Sequence, residues 1–96
     1  MGYVLVSNRV MLDGQRVRYL YREEAEEKDD SGWRIFAGDE SQEYADDPEN
    51  LALYNASTIL EKEPRLAEVL AEPAPIAFEF DDAQQVFVLI EDDKLN

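Results

Sequence analysis

No apolar run in this chain exceeds five residues, and that limit constrains the fold more than any other feature. The longest run, Val86-Phe87-Val88-Leu89-Ile90, is strand-sized and far short of the roughly twenty residues needed to cross a bilayer. Turn formers separate the other apolar segments. Tyr3-Val4-Leu5-Val6-Ser7 reads as a strand apolar on both faces, hence a central one. Asp13-Gly14 is a turn signal between Val10-Met11-Leu12 and a strand from Arg16 to Arg22. In that strand Val17, Tyr19 and Tyr21 fall on one face, and Arg16, Arg18, Leu20 and Arg22 on the other, where the arginines would neutralise nearby carboxylates. Trp33-Arg34-Ile35-Phe36 is another strand, with Trp33 and Ile35 facing one way and Arg34 and Phe36 the other. A turn of helix is expected around residues 42–45, ended by Asp47-Pro48, and Leu51-Ala52-Leu53-Tyr54 reads as strand or extended chain. Thr58 and Glu61 have capping-box spacing at the start of a helical segment over 57–71, kinked or split before Pro64. Ile76, Phe78 and Phe80 alternate with Ala77 and Glu79, and Gln85 to Glu91 returns as the last strand. Residues 91–96 are expected to fray. The fold class is α+β: a mainly antiparallel sheet of about five strands with the split helical segment packed on one face.

Composition narrows the function. The 96 residues suit one domain, taken as residues 1–96. There is no cysteine and no histidine, which excludes disulfide frameworks, thiolate or imidazole zinc sites, Ser-His-Asp or Cys-His catalysis and a histidine pH switch. The N-terminus lacks a signal-peptide pattern, and the lack of disulfides fits the cytoplasm. A net charge of −14 repels nucleic acid and anionic membranes and would attract a basic protein partner. The block from Glu23 to Asp30 holds six acids and one lysine in eight positions. It reads as a mobile, solvated acidic loop at about 23–31, or, before a nuclease, as a phosphate mimic made by Glu24, Glu26 and Glu27.

The candidate site lies in the middle of the chain. Gly32 and Gly38 bracket the strand that bears Trp33, and Gly38 is expected at a positive φ. Trp33 admits two readings, core residue or interface anchor. Asp39 and Glu40 also admit two: Asp39 capping the following turn, or the pair meeting a basic residue of a partner. With Glu43, Tyr44, Asp46 and Asp47 they form the candidate partner-binding set: Trp33, Asp39, Glu40, Glu43, Tyr44, Asp46 and Asp47. The acidic spacing does not match an EF-hand loop, so no metal site is expected. Nor is a cofactor or a catalytic residue, because two carboxylates without a substrate cleft do not make a glycosidase.

The segment Ser31-Gly32-Trp33-Arg34-Ile35-Phe36-Ala37-Gly38-Asp39-Glu40 resembles the signature of a bacterial family, the immunity domain numbered thirty-three, whose pattern is Gly-Trp, a spacer, then Gly-Asp-Glu. Val6-Ser7-Asn8-Arg9-Val10 and Tyr21-Arg22-Glu23 are similar to the family's N-terminal part. Tyr44, Asp46-Asp47-Pro48-Glu49-Asn50, Ile59-Leu60 and Ala77-Phe78-Glu79 are similar to its C-terminal part. Ala74-Pro75 and Asn55-Ala56-Ser57 depart from the pattern. The resemblance implies an α+β fold and a non-enzymatic protein of polymorphic toxin systems that binds a toxin domain and blocks it. The expected function is therefore occlusion of a basic toxin domain by an acidic surface. A regulatory or scaffold domain unrelated to toxins is the alternative. The oligomeric state is left open.

Overall fold

The computed structural model describes residues 2–25 and 27–90. Glu26, the Glu91 end of the expected last strand, and the expected fraying at 91–96 lie outside the described residues. Among the described residues six strands form one sheet: β1 (Tyr3–Ser7), β2 (Tyr19–Arg22), β3 (Asp30–Phe36), β4 (Leu51–Tyr54), β5 (Ile76–Asp81) and β6 (Val86–Leu89). Their spatial order is β4-β1-β3-β2-β5-β6. β1 and β3 run parallel, and the other pairings are antiparallel. The α+β class is as read from the sequence. Leu51–Tyr54 adds one strand to the expected count, and among the described residues it is an edge strand paired with β1.

β3 lies between β1 and β2 and is buried along its whole length. One face of the sheet carries Val4, Val6, Leu20, Trp33 and Ile35, which pack with Ile59, Leu66 and Leu70 as the core. Those three come from α3 (Ala56–Lys62) and two short 3₁₀ turns, Pro64–Leu66 and Val69–Ala71. The expected split before Pro64 is real, because proline has no N–H to continue an α-helix. Other local features differ from the expectation. Asn55, not Thr58, occupies the N-cap position of α3, one residue after β4 ends, so the capping box does not form. Val10 and Met11 lie in a short helix, α1 (Asn8–Met11), whose start is capped by the Ser7 hydroxyl accepting from Arg9 N–H. Strand β2 begins only at Tyr19, and Val17 is buried in the core, so the alternation does not extend back to it.

The arginines of the β2 region are spent locally. Arg16 pairs with Glu63, which is buried and also takes Arg65, and Arg18 pairs with Asp82. Arg22 instead donates to the carbonyls of Ser31 and Glu72 and lies over the Trp33 ring.

Candidate functional site

β3 ends in a turn built for its sequence. Gly38 has φ of 100°, in the left-handed region that favours glycine, as expected. The chain then folds so that the Glu40 carboxylate accepts hydrogen bonds from the N–H groups of Ala37 (2.7 Å) and Gly38 (2.8 Å). Burial pushes the Glu40 pKa up. Hydrogen bonds from the Ser7 hydroxyl and the backbone of Ala37, Glu40 and Gly38 outweigh it, and the result lies below the ordinary value. Glu40 thus closes the turn with its charge. Its carboxylate is engaged internally and is not presented outward.

Asp39 is exposed and lies 3.5 Å from the Arg9 guanidinium. It caps nothing. The hydroxyl of Ser41 does that work, accepting from Tyr44 N–H at the start of α2 (Gln42–Asp46). The reason is position: Ser41 sits immediately before the first helical residue, and Asp39 is two residues too early. α2 presents Glu43 and Asp46 to solvent, with Gln42 donating to Asp46. Asp47 is also exposed, and its carboxylate accepts from Glu49 N–H to start the 3₁₀ turn Pro48–Asn50. Tyr44 is half-buried beneath the Arg9 guanidinium, 5.0 Å from its ring centre. Arg9 thus links Asp39 with Tyr44, while Glu43, Asp46 and Asp47 stand exposed on α2 and just after it.

Trp33 lies elsewhere. It is fully buried on the core face, and its indole N–H donates to the Leu70 carbonyl (3.2 Å). Of its two readings the structure takes the core one, because alternation puts Trp33 beside Ile35, under α3 and the 3₁₀ turns. Gly32 has φ of 91°, and a Cβ there would collide with the Glu23 carbonyl. The glycine lets the start of β3 approach the end of β2.

On the opposite face, sequence reasoning missed a cleft of about 330 Å³. Its wall is the sheet itself: Leu5 from β1, Tyr19 and Tyr21 from β2, Arg34 and Phe36 from β3. α2 and the turn before it supply the other side, including Asp46. The Tyr19, Tyr21 and Phe36 rings form one cluster with centres 5.9–6.0 Å apart. Arg34 is held by Asp30 through both Nη atoms (2.9 and 2.8 Å) and by Glu23 through Nε (2.8 Å). The two ends of the acidic block are thereby drawn into an ion network, with the Asp30 side chain fully buried and Asp30 and Ser31 already inside β3. Glu24, Ala25, Glu27, Lys28 and Asp29 between them are exposed. The alternation of Tyr19 with Tyr21, and of Arg34 with Phe36, was visible in sequence. The register that puts Tyr19 opposite Phe36 and Tyr21 opposite Arg34 was not.

Among the described residues no group of three or more acidic side chains is placed to hold a metal ion, and no helix is long and apolar enough to cross a membrane. Compared with known protein families, residues 4–91 match the Immunity protein Imm33 domain. The chain belongs to the Imm33 family. The match covers the described sheet except for Tyr3, the first residue of β1, so the cleft and α2 both lie within the Imm33 domain. No curated protein and no solved structure matches this Imm33 chain.

Proposed function

We propose that this Imm33 protein neutralises a cognate toxin domain by covering it with the surface built around α2, acting without catalysis in the cytoplasm of the cell that makes the toxin. One observation supports the reading most directly. Asp39, Glu43, Asp46 and Asp47 are all exposed on and beside α2, and this helix borders the aromatic cleft. A charged rim around a partly apolar centre is the arrangement protein interfaces use: the rim speeds and orients encounter, and the centre supplies the contact area. The net charge of −14 selects a basic partner. Trp33 has no exposed surface to contribute and Glu40 holds the turn, so the contact falls to Asp39, Glu43, Tyr44, Asp46 and Asp47.

The experiment is co-expression with a candidate cognate toxin domain, followed by binding kinetics. The wild-type chain is expected to restore growth. Glu43→Lys with Asp46→Lys is expected to weaken binding by about tenfold or more, mostly through slower association. Its melting temperature should change little, since both residues are exposed. Full protection and unchanged association by the double variant would reject the α2 surface.

A further inference from the structure

The cleft beside α2 has a chemistry of its own. Its aromatic wall is ordered by stacking: Tyr21 and Phe36 lie within 14° of parallel. Neither tyrosine hydroxyl has a hydrogen-bond partner among the described residues. The surrounding charge is negative. Asp46 lines the cleft from α2, and Glu79 stands opposite Tyr19 in the β2–β5 register. Arg34 is a cation in the wall, but Asp30 and Glu23 hold it, and the three together carry one net negative charge. The phenols register this environment. Burial and then the Glu79 charge raise the Tyr19 pKa; burial and then Glu23 raise that of Tyr21, against the opposing effect of Arg34.

Ring faces carry partial negative charge, and the flanking carboxylates a full one. An anion is disfavoured on both counts, and an aliphatic side chain would use the rings but waste the carboxylates. A planar, weakly hydrated cation uses both: it stacks on an aromatic face and donates to carboxylates from its edge. We infer that the cleft receives an arginine side chain of the toxin domain, its guanidinium laid against the Tyr21 and Phe36 rings and its charge facing Asp46 and Glu79. This inference rests on the proposed function and names the group recognised. Arg34 is the built-in precedent, a guanidinium in the same sheet face already satisfied by carboxylates.

The test uses small probes on the whole protein. N-acetyl-arginine amide and its neutral isostere N-acetyl-citrulline amide are titrated while the ring protons of Tyr19, Tyr21 and Phe36 are followed by NMR. The arginine probe is expected to shift all three rings, and citrulline to bind about tenfold more weakly. Tyr21→Leu and Asp46→Asn should each weaken the arginine probe several-fold. If Tyr21→Leu does not fold, the comparison of the two probes on the wild-type chain still decides. Equal binding of the two probes, or shifts spread over the acidic surface that leave the rings unmoved, would overturn the inference. Neutralisation separates the two claims: a protein that protects cells but whose cleft ignores the arginine probe loses only this inference, whereas one that never protects loses the proposed function.

Discussion

Glu40 and Asp39 are neighbours in sequence and opposites in use. Glu40 accepts two backbone N–H groups and holds the Gly38 turn closed, while Asp39, itself exposed, pairs with the half-buried Arg9 at 3.5 Å. Charge-assisted bonds to backbone are worth more than exposed ion pairs, which salt and water screen. Glu40→Gln is therefore expected to cost about 1–2 kcal/mol in urea unfolding, because the amide oxygen replaces a charged acceptor at best in part. Asp39→Asn should stay within about 0.5 kcal/mol. The pH dependence has a definite sign. The folded pKa of Glu40 lies below its ordinary value of 4.5, so its stabilisation is complete above that value and is lost as pH falls through the folded pKa. The stability gap between wild type and Glu40→Gln should accordingly narrow on acidification below about 4.5; a gap that is flat with pH would show that the charge on Glu40 is not what holds the turn.

At the scale of elements, β3 is the strand on which both faces depend. Toward α3 it offers Trp33, whose N–H satisfies the Leu70 carbonyl, and toward the cleft it offers Arg34. Replacing Trp33 by phenylalanine leaves that buried carbonyl without a donor and a gap beside it, at an expected cost of about 2–4 kcal/mol in equilibrium unfolding. On the other face Asp30 is fully buried against Arg34 and also accepts the Gly32 N–H. Asp30→Ala removes the partner of a buried cation and should cost about 3–5 kcal/mol, far more than removing exposed Glu24 or Glu27 from the same acidic block. A loss for Asp30→Ala no greater than for Glu24→Ala would mean that Arg34 finds its compensation elsewhere.

For the molecule as a whole, 23 acids against 9 bases set a uniform sign of field. Self-repulsion at a net charge of −14 opposes compaction, and salt screens it. The melting temperature is expected to rise between low salt and several hundred millimolar sodium chloride. Under the proposed function the same salt should slow association with a basic toxin domain while leaving dissociation nearly constant. Thermal melts and stopped-flow association in one salt series check both, and a fall in stability with salt would show that local ion pairs such as Arg34–Asp30–Glu23 outweigh the global repulsion.

The short apolar runs, their alternation and the Gly-Trp and Gly-Asp-Glu signature were sufficient to read the α+β class, most strands, the helix break at Pro64, the positive φ at Gly38 and the family. These are local properties: periodicity, proline chemistry and glycine sterics act within a few residues of their cause. The signature could not show which of its residues face outward. Trp33 went to the core and Glu40 into its own turn because partners distant or folded back in the chain, Leu70 and the Ala37–Gly38 amides, were there to receive them. The aromatic cleft is the clearest product of tertiary structure. Tyr19, Tyr21, Arg34, Phe36 and Asp46 come from three elements, and only strand register and the docking of α2 bring them together, because the free energy of a strand pairing depends on residues far apart in the chain.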